Sequence, residues 1–142
     1  MSRIRNPKRR GASLGLTATA TGELIRQIER GLAFDSLRKL EAFSGVDTLA
    51  IASVIGIPER TLARRKTAGR LSPDESERLL RISTVIEKSV ELFEGDVPAA
   101  VSWLTSPKGA LGNHSPLKYS RTEIGAREVE NLIGRLEHGV FT

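Results

Sequence analysis

The chain has 142 residues, a formal net charge of +5, 39% hydrophobic residues and no cysteine. This length suffices for one domain or two small ones with a buried core, and the lack of cysteine excludes disulfides and thiolate metal sites. No apolar run approaches the roughly 20 residues that span a bilayer, and the first residues lack the apolar segment of a secretory signal. We therefore expect a cytoplasmic protein.

The excess of positive charge lies at the start of the chain. Residues 1–30 carry seven Lys or Arg against two acids, residues 31–75 seven against six, and residues 76–142 eight against nine. Residues 1–20 are therefore predicted to be a basic disordered arm. Such an arm can enter the minor groove beside a DNA-reading domain, or it can be a flexible solubilising tail.

Residues 21–70 are predicted to form short helices. A first helix is expected from about Gly22 to Gly31 and a second from Asp35 to Gly45, because turn formers bound both segments. Their apolar residues recur at helical spacing: Leu24, Ile25 and Ile28 in the first, and Leu37, Leu40 and Phe43 in the second.

The stretch from Thr48 to Arg70 has the spacing of a helix-turn-helix. Asp47 or Thr48 can cap its first helix, Gly56 permits the sharp turn, and Pro58 fits the first turn of the second helix. The small core between the helices is assigned to Ile51, Ala52, Ile55, Ile57 and Leu62.

The second helix of this pair carries the cations of a recognition helix. Arg60 and Arg64 lie one turn apart and share a face, whereas Leu62 points roughly the opposite way. One packed side and one cationic side are what a DNA-reading helix needs, although an arginine-rich face can also be merely solvated. The predicted DNA-binding residues are Arg60, Thr61, Arg64, Arg65, Lys66 and Arg70.

Residues 71–142 begin with the clearest helix signal of the chain. Ser72, Pro73 and Glu75 have the spacing of a capping box with proline at the first helical position, which predicts a long helix from Pro73 to about Glu94. Its apolar band is broad enough for a central core helix, and a dimer seam is the alternative.

Further helices are expected between Asp96 and Leu104 and from about Ala126 to Gly139, separated by a loop over Ser106–Pro116. The last helix would bury Val129, Leu132, Ile133 and Leu136. Because strand signals are nearly absent, the predicted fold class is all-α, with a helix-turn-helix bundle over residues 21–70 and a second helical domain over residues 71–142.

No catalytic constellation is found in the sequence. The nucleophile elbow and the phosphate-binding loop are missing, and Gly109–Gly112 lacks the strand and third glycine of a dinucleotide fingerprint. His114 and His138 are too far apart to suggest a zinc site. We expect no enzyme, no cofactor and no metal; a small helical enzyme with two converging carboxylates is the alternative.

Three ordered blocks resemble the Xre-like antitoxins of the MbcA/ParS/Xre group. The decapeptide from Gly56 to Arg65 is similar to the helix-turn-helix of that family, and the stretch from Leu71 to Leu79 is similar to the start of its central helix. The third block resembles the spacing of its C-terminal toxin-binding module: Ala100-Val101-Ser102-Trp103-Leu104, Pro107, Leu111, Pro116-Leu117, Thr122, Gly125, Val129 and Leu136-Glu137-His138-Gly139. The resemblance covers roughly residues 31–142.

This resemblance implies a bacterial antitoxin that silences a RES-domain toxin, an enzyme that degrades NAD, and that represses its own operon by binding operator DNA. It also implies a homodimer within a toxin–antitoxin hetero-oligomer, and obstruction of the toxin's nucleotide site by the C-terminal region. Residues 71–142 are then the dimerisation and toxin-binding domain. The toxin-binding residues that the resemblance suggests are Trp103, Pro107, Leu111, Arg135, Glu137, His138, Val140 and Phe141.

A separate physical argument concerns the end of the chain. Val140 and Phe141 are apolar residues beyond a helix stop, where no intrachain core obviously awaits them, and such a terminus suggests a partner. Alternatively, Phe141 folds back onto its own domain. A stand-alone phage-type dimeric regulator without a toxin is the second functional hypothesis, which the identity of the neighbouring gene would test.

Overall fold

The computed structural model describes residues 9–139, most of which lie in helices joined by short loops. The helices are α1 Thr21–Arg30, α2 Asp35–Ser44, α3 Thr48–Val54, α4 Glu59–Ala68, α5 Pro73–Leu92, α6 Val97–Thr105, α7 Pro116–Tyr119 and α8 Glu123–Glu137. Between residues 9 and 139 no strand forms, and β contacts are limited to the isolated bridges Ala33–Arg70 and Lys108–His114. The all-α fold class is confirmed.

Helix α5 is the centre of the molecule and packs against α1, α2, α6, α7 and α8. The sequence starts this helix as predicted, since Ser72 Oγ accepts from Glu75 N at 3.1 Å and Glu75 Oε1 accepts from Ser72 N at 2.9 Å. Its apolar band is buried within its own chain: Leu79, Leu80, Ile82, Val85 and Ile86. The central-helix interpretation is therefore confirmed.

Helix α5 buries small hydroxyl side chains among its apolar residues. Ser83 and Ser89 are fully buried in this helix. Each satisfies its hydroxyl inside the helix, since Ser83 Oγ donates to Leu80 O at 2.8 Å and Ser89 Oγ to Val85 O at 2.9 Å. Because no buried polar group is left unpaired there, these serines fit the core at little cost.

Residues 9–20 belong to the folded body, so the prediction of a disordered arm is wrong for them. Leu14 lies in the core at 1% exposure, and Ser13 donates to Glu87 Oε2 from its backbone N at 2.9 Å and from Oγ at 2.5 Å. Arg10 Nε also donates to Thr84 Oγ1 at 3.1 Å. Packing against α5 thus overrides the basic composition; residues 1–8 lie outside the described residues.

Three boundaries differ from the prediction. Pro58 is the cap that precedes α4 rather than a residue of its first turn. Helix α8 begins at Glu123, earlier than predicted, because Thr122 Oγ1 accepts from Gly125 N at 3.0 Å. The predicted loop is followed directly by a further short helix, α7, which Ser115 caps.

Gly125 permits the close approach of α7 to α8. A Cβ atom at this position would lie 1.7 Å from Tyr119 O, a distance that no side chain tolerates. The glycine therefore fixes how the two helices meet, with α8 continuing over α5. One apolar cluster runs through this contact, from Leu14 at the start of the described chain to Ile133 in α8, so the two predicted regions share a single core.

The burial of Leu14 predicts a stability effect that a disordered arm would not have. Leu14→Ala is expected to lower the free energy of unfolding by roughly 2–5 kcal/mol, because it leaves a cavity in the core. Ile25→Ala is the matched control, since Ile25 is 51% exposed, and it should cost less than about 1 kcal/mol. Urea unfolding measures both variants; equal, small effects would show that residues 9–20 are not part of the core.

Candidate nucleic-acid interface and C-terminal surface

The helix-turn-helix is formed by α3 and α4. Asp47 caps α3, since its Oδ1 accepts from Ala50 N at 2.8 Å, and Gly56 makes the turn with a φ of 80°, a conformation that glycine adopts at no steric cost. The residues assigned to the small core are all buried: Ile51, Ala52, Ile55, Ile57 and Leu62. The predicted core of the pair is confirmed.

One side of α4 is exposed along its whole length and carries positive charge. Arg60, Ala63, Arg64 and Thr67 are exposed at spacings of three and four residues, which places them on one stripe of the helix; we call this stripe the cationic face. Leu62 is buried on the other side. Small side chains between the two arginines leave room for a close approach by a groove.

Arg64 is held in place by its neighbour on the helix. Its Nη2 donates to Thr61 Oγ1 at 3.2 Å, and Thr61 is half-buried. Within residues 9–139, no ion pair joins Arg60 or Arg64 to an acid. Both guanidinium groups therefore keep donors for an external partner, as a phosphate or a base edge requires.

Arg65 points away from the cationic face of α4, which corrects its grouping with Arg64. Its Nε donates to Glu75 Oε1 at 2.8 Å and its Nη2 to Glu75 Oε2 at 3.1 Å. The physical reason is helix geometry, because consecutive residues are turned by roughly 100° and Arg65 follows Leu62 toward the core. Its side chain is 28% exposed and that of Glu75 is 8% exposed.

Arg70 is also engaged within the chain, beyond the end of α4. Its Nη1 donates to Gly31 O at 2.7 Å and to Arg30 O at 3.2 Å. These carbonyls end α1, where Gly31 is the C-cap, so the cation satisfies groups that the helix leaves unpaired. Lys66 is exposed and lines a groove with Phe34 and Leu49, beside the cationic face rather than on it.

The ion pair shifts the titration of both partners. Burial by itself raises the pKa of Glu75, but the hydrogen bond from Arg65, the backbone N–H of Ser72 and the charge of Arg65 together bring it below its ordinary value. The pKa of Arg65 is raised in return, chiefly by its hydrogen bond to Glu75 and by the charge of that carboxylate. The pair is therefore ionised at neutral pH.

In the C-terminal half, Trp103 is half-buried on α6. Its ring centroid lies 6.3 Å from that of Phe93, and Lys108 Nζ lies 5.4 Å from the Trp103 centroid. This is the geometry of an aromatic pair with a cation over one ring. Pro107 is exposed beside it, so two of the predicted toxin-binding residues share one surface.

Leu111 is not on that surface. It is 3% exposed and belongs to the apolar core, so its assignment as a toxin contact is corrected to a packing role. The reason is the 3-10 turn Gly109–Leu111, which directs the leucine inward, an orientation that no local pattern predicted.

The remaining predicted toxin-binding residues lie at the end of α8. Arg135, Glu137 and His138 are exposed, and His138 is the C-cap, with its N donating to Gly134 O at 3.1 Å. Val140 and Phe141 lie outside the described residues. Among residues 9–139, no hydrogen bond, ion pair or ring contact joins the end of α8 to Trp103.

Sequence reasoning missed an exposed apolar residue at the other end of α8. Ile124 is 77% exposed, and it borders a shallow cavity of about 590 Å³ that also involves His114 and Tyr119. The rings of these two residues stack, with centroids 5.7 Å apart. Because the predicted helix starts at Ala126 and the predicted loop ends at Pro116, Ile124 is assigned to no element. The Thr122 cap is the signal that would have located it.

The described residues show neither a metal site nor a membrane-spanning helix. Between residues 9 and 139, no cluster of three His, Asp or Glu is arranged to hold a metal ion. No helix in that range has the length and apolarity to cross a membrane. The acid with a clearly displaced pKa in the same range is Glu75, and its partners are the structural contacts described above.

Comparison with known proteins gives matches over both halves of the chain. Residues 23–83 match the family model "Antitoxin Xre-like helix-turn-helix domain", and residues 89–139 match "Antitoxin Xre/MbcA/ParS C-terminal toxin-binding domain". A protein named Antitoxin Xre from Yersinia enterocolitica is 41% identical over 130 residues, which is 91% of this chain and 88% of the relative. The chain belongs to the Xre family of antitoxins.

Two other relatives carry the same name. The one from Photorhabdus laumondii is 33% identical over 131 residues, covering 92% of this chain and 88% of its own. The one from Pseudomonas putida is 31% identical over 84 residues, covering 58% and 52%. The predicted family is confirmed, and the cationic face and the Trp103 surface fall in the two different domains that the family models define.

The lowered pKa of Glu75 predicts a specific acid dependence of stability. A carboxylate with a lowered folded-state pKa stabilises the protein above its unfolded pKa, and this contribution is lost as pH falls through the folded value. Glu75→Gln keeps the capping box, which glutamine also completes, but removes the titrating charge. The variant should be less stable than the wild type at neutral pH and converge with it on acidification.

Urea unfolding at a series of pH values down to about pH 3 measures this difference. Glu123→Gln, which removes an exposed carboxylate paired with Arg127, is the control and should follow the wild-type curve. If the Glu75→Gln curve stays parallel to that of the wild type throughout, the ion pair does not contribute to acid-sensitive stability.

Proposed function

We propose that this chain is the antitoxin of a type II toxin–antitoxin pair whose toxin carries a RES domain and degrades NAD. The antitoxin neutralises the toxin by blocking its active site, and it represses its own operon by binding operator DNA. One observation carries the proposal: models of an Xre-like DNA-binding domain and of a toxin-binding domain match consecutive parts of the same chain.

The cationic face is the proposed DNA contact. Two arginines one turn apart can each make paired hydrogen bonds to a guanine edge or bind phosphate. Ala63 between them and Thr67 one turn further on are small enough to let the helix enter the major groove. Because Thr61 restrains the Arg64 side chain, that group loses less freedom on binding. Lys66 contributes from the side of the helix, toward phosphates.

The proposed homodimer uses a surface other than the apolar band of α5. Most of that band is buried in its own chain, and only the half-buried Val90, Leu92 and Phe93 at its C-terminal end remain in part accessible to a second copy. A two-fold dimer presents two α4 helices to successive major grooves, which requires a palindromic operator. The stand-alone regulator hypothesis shares this geometry but gives no role to the toxin-binding match at residues 89–139.

The proposed toxin contacts are the Trp103 surface and the end of α8. Trp103 and Pro107 offer a half-buried aromatic next to an exposed apolar ring, a combination that is favoured at interfaces. Arg135, Glu137 and His138 precede the proposed contacts Val140 and Phe141.

Removing either arginine of the cationic face should weaken DNA binding. Arg60→Ala and Arg64→Ala are each expected to cost roughly 1–3 kcal/mol of binding free energy for a lost base contact, while toxin capture stays unchanged. Fluorescence anisotropy with a duplex from directly upstream of the coding sequence measures the affinity. Arg127→Ala, on an exposed face of α8, is the matched control. Wild-type affinity in both test variants would exclude this face as the surface that contacts DNA.

Shortening the chain after His138 should impair neutralisation and leave folding intact. The missing residues include both proposed apolar contacts, whereas the described core ends earlier, at Ile133. Co-expression with the product of the neighbouring gene measures growth rescue, and NAD consumption by that purified product measures inhibition. Full rescue by the shortened chain would show that residues 139–142 are not needed, and a neighbouring product that leaves NAD intact would exclude the proposed toxin.

A further inference from the structure

We infer that Arg65 positions the recognition helix and does not contact DNA: its ion pair with Glu75 fixes the orientation in which α4 presents the cationic face. This inference rests on the operator binding proposed above. Adjacent arginines of the same helix then have different roles: Arg64 lies on the side of the DNA, and Arg65 lies on the side of the protein core.

The contact geometry is the first argument. Arg65 bonds to Glu75 through two different nitrogens, to both carboxylate oxygens, at 2.8 and 3.1 Å. Such a paired contact fixes both distance and angle, which a single bond does not. A swing of Arg65 toward DNA would break both bonds and leave a carboxylate with 8% exposure without its cation, which is costly for a charge so little hydrated.

The second argument is that Glu75 is itself held rigidly. It completes the capping box of α5, because Glu75 Oε1 accepts from Ser72 N at 2.9 Å and Glu75 N donates to Ser72 Oγ at 3.1 Å. The carboxylate is thus fixed to the first turn of the most buried helix in the fold. Because the ion pair joins this carboxylate to Arg65, it also fixes the orientation of α4.

The third argument is how few contacts hold the body of α4. Its C-terminal end is tied separately, by the bond from Phe34 N to Gly69 O at 2.9 Å and by Arg70. Among its ten residues Leu62 alone is buried, and a helix of this length is marginal by itself. Helix α3 has a tie of its own to α5, since Arg78 Nε donates to the C-cap carbonyl of Ile55 at 2.6 Å. The first turns of α5 therefore hold both helices of the DNA-binding pair, and Arg65 is the polar link for the second.

The experiment compares DNA affinity across a salt series for Arg65→Ala, Glu75→Gln and the double variant, with Arg60→Ala as the reference for a direct contact. The probe is the duplex from directly upstream of the coding sequence. A lost phosphate contact lowers the slope of log K against log salt by about 0.9, as expected for Arg60→Ala. Arg65→Ala should instead keep the wild-type slope and lose affinity about tenfold at every salt concentration.

Glu75→Gln decides between the two roles of Arg65. Removing a negative charge close to DNA strengthens binding if charge alone matters, whereas loss of positioning weakens it. We expect a loss similar to that of Arg65→Ala, and no further loss in the double variant, because the two residues act as one unit. Arg127→Ala, which breaks an exposed ion pair elsewhere, should leave affinity unchanged.

Folding is controlled by two independent measurements. Toxin capture should persist in all variants, and hydrogen exchange should speed up at the amides of α4 while those of α8 keep their protection. Arg65→Lys, which keeps the charge without the paired geometry, should also lose affinity at an unchanged slope, and it replaces Arg65→Ala if that variant does not fold.

A lowered slope in Arg65→Ala, together with unchanged or tighter binding by Glu75→Gln, would overturn the inference and make Arg65 a DNA contact. Failure of the wild type to bind the duplex would instead contradict the proposed operator binding itself, and the positioning role with it. The wild-type measurement thus distinguishes the two failures.

Discussion

The first two turns of α5 fix three separate parts of the chain, and the rest of the structure depends on them. Glu75 holds Arg65 of α4, Arg78 holds the end of α3, and Ser76 Oγ accepts from Leu32 N at 2.7 Å after the end of α1. Each partner is a charge or a backbone group that would otherwise be unpaired. A capped helix start thereby sets the arrangement of the whole helix-turn-helix half.

This constraint reduces the number of α4 cations that are exposed and available for the proposed DNA contact. The sequence places Arg64, Arg65 and Lys66 side by side, and a count of cations would treat them alike. Helix rotation assigns them to three different directions: outward, into the ion pair with Glu75, and toward the groove beside Phe34. The proposed DNA contact is thus concentrated at Arg60 and Arg64, which makes the cationic face narrow.

Local signals in the sequence predicted much of the fold, and non-local packing accounts for what they missed. The capping box at Ser72 and the helix-turn-helix core are encoded within a few residues, so local patterns predict them correctly. Of the two expected caps of α3, Asp47 and Thr48, the structure uses Asp47. The burial of Leu14 and the inward turn of Leu111 depend on α5 and its neighbours, which composition and spacing do not reveal. The Arg65–Glu75 pair joins two elements across a turn, so neither residue alone signals it.

The shared core explains how one small chain can carry two different binding surfaces. The two family models divide the chain within α5, one ending at residue 83 and the other beginning at residue 89, yet the buried side of this helix is continuous. A helix of 20 residues spans about 30 Å, enough to separate the helix-turn-helix at one end from the residues of the toxin-binding domain match at the other. Because both halves pack on the same helix, they fold together, and specificity for each partner is left to exposed side chains that the core does not need.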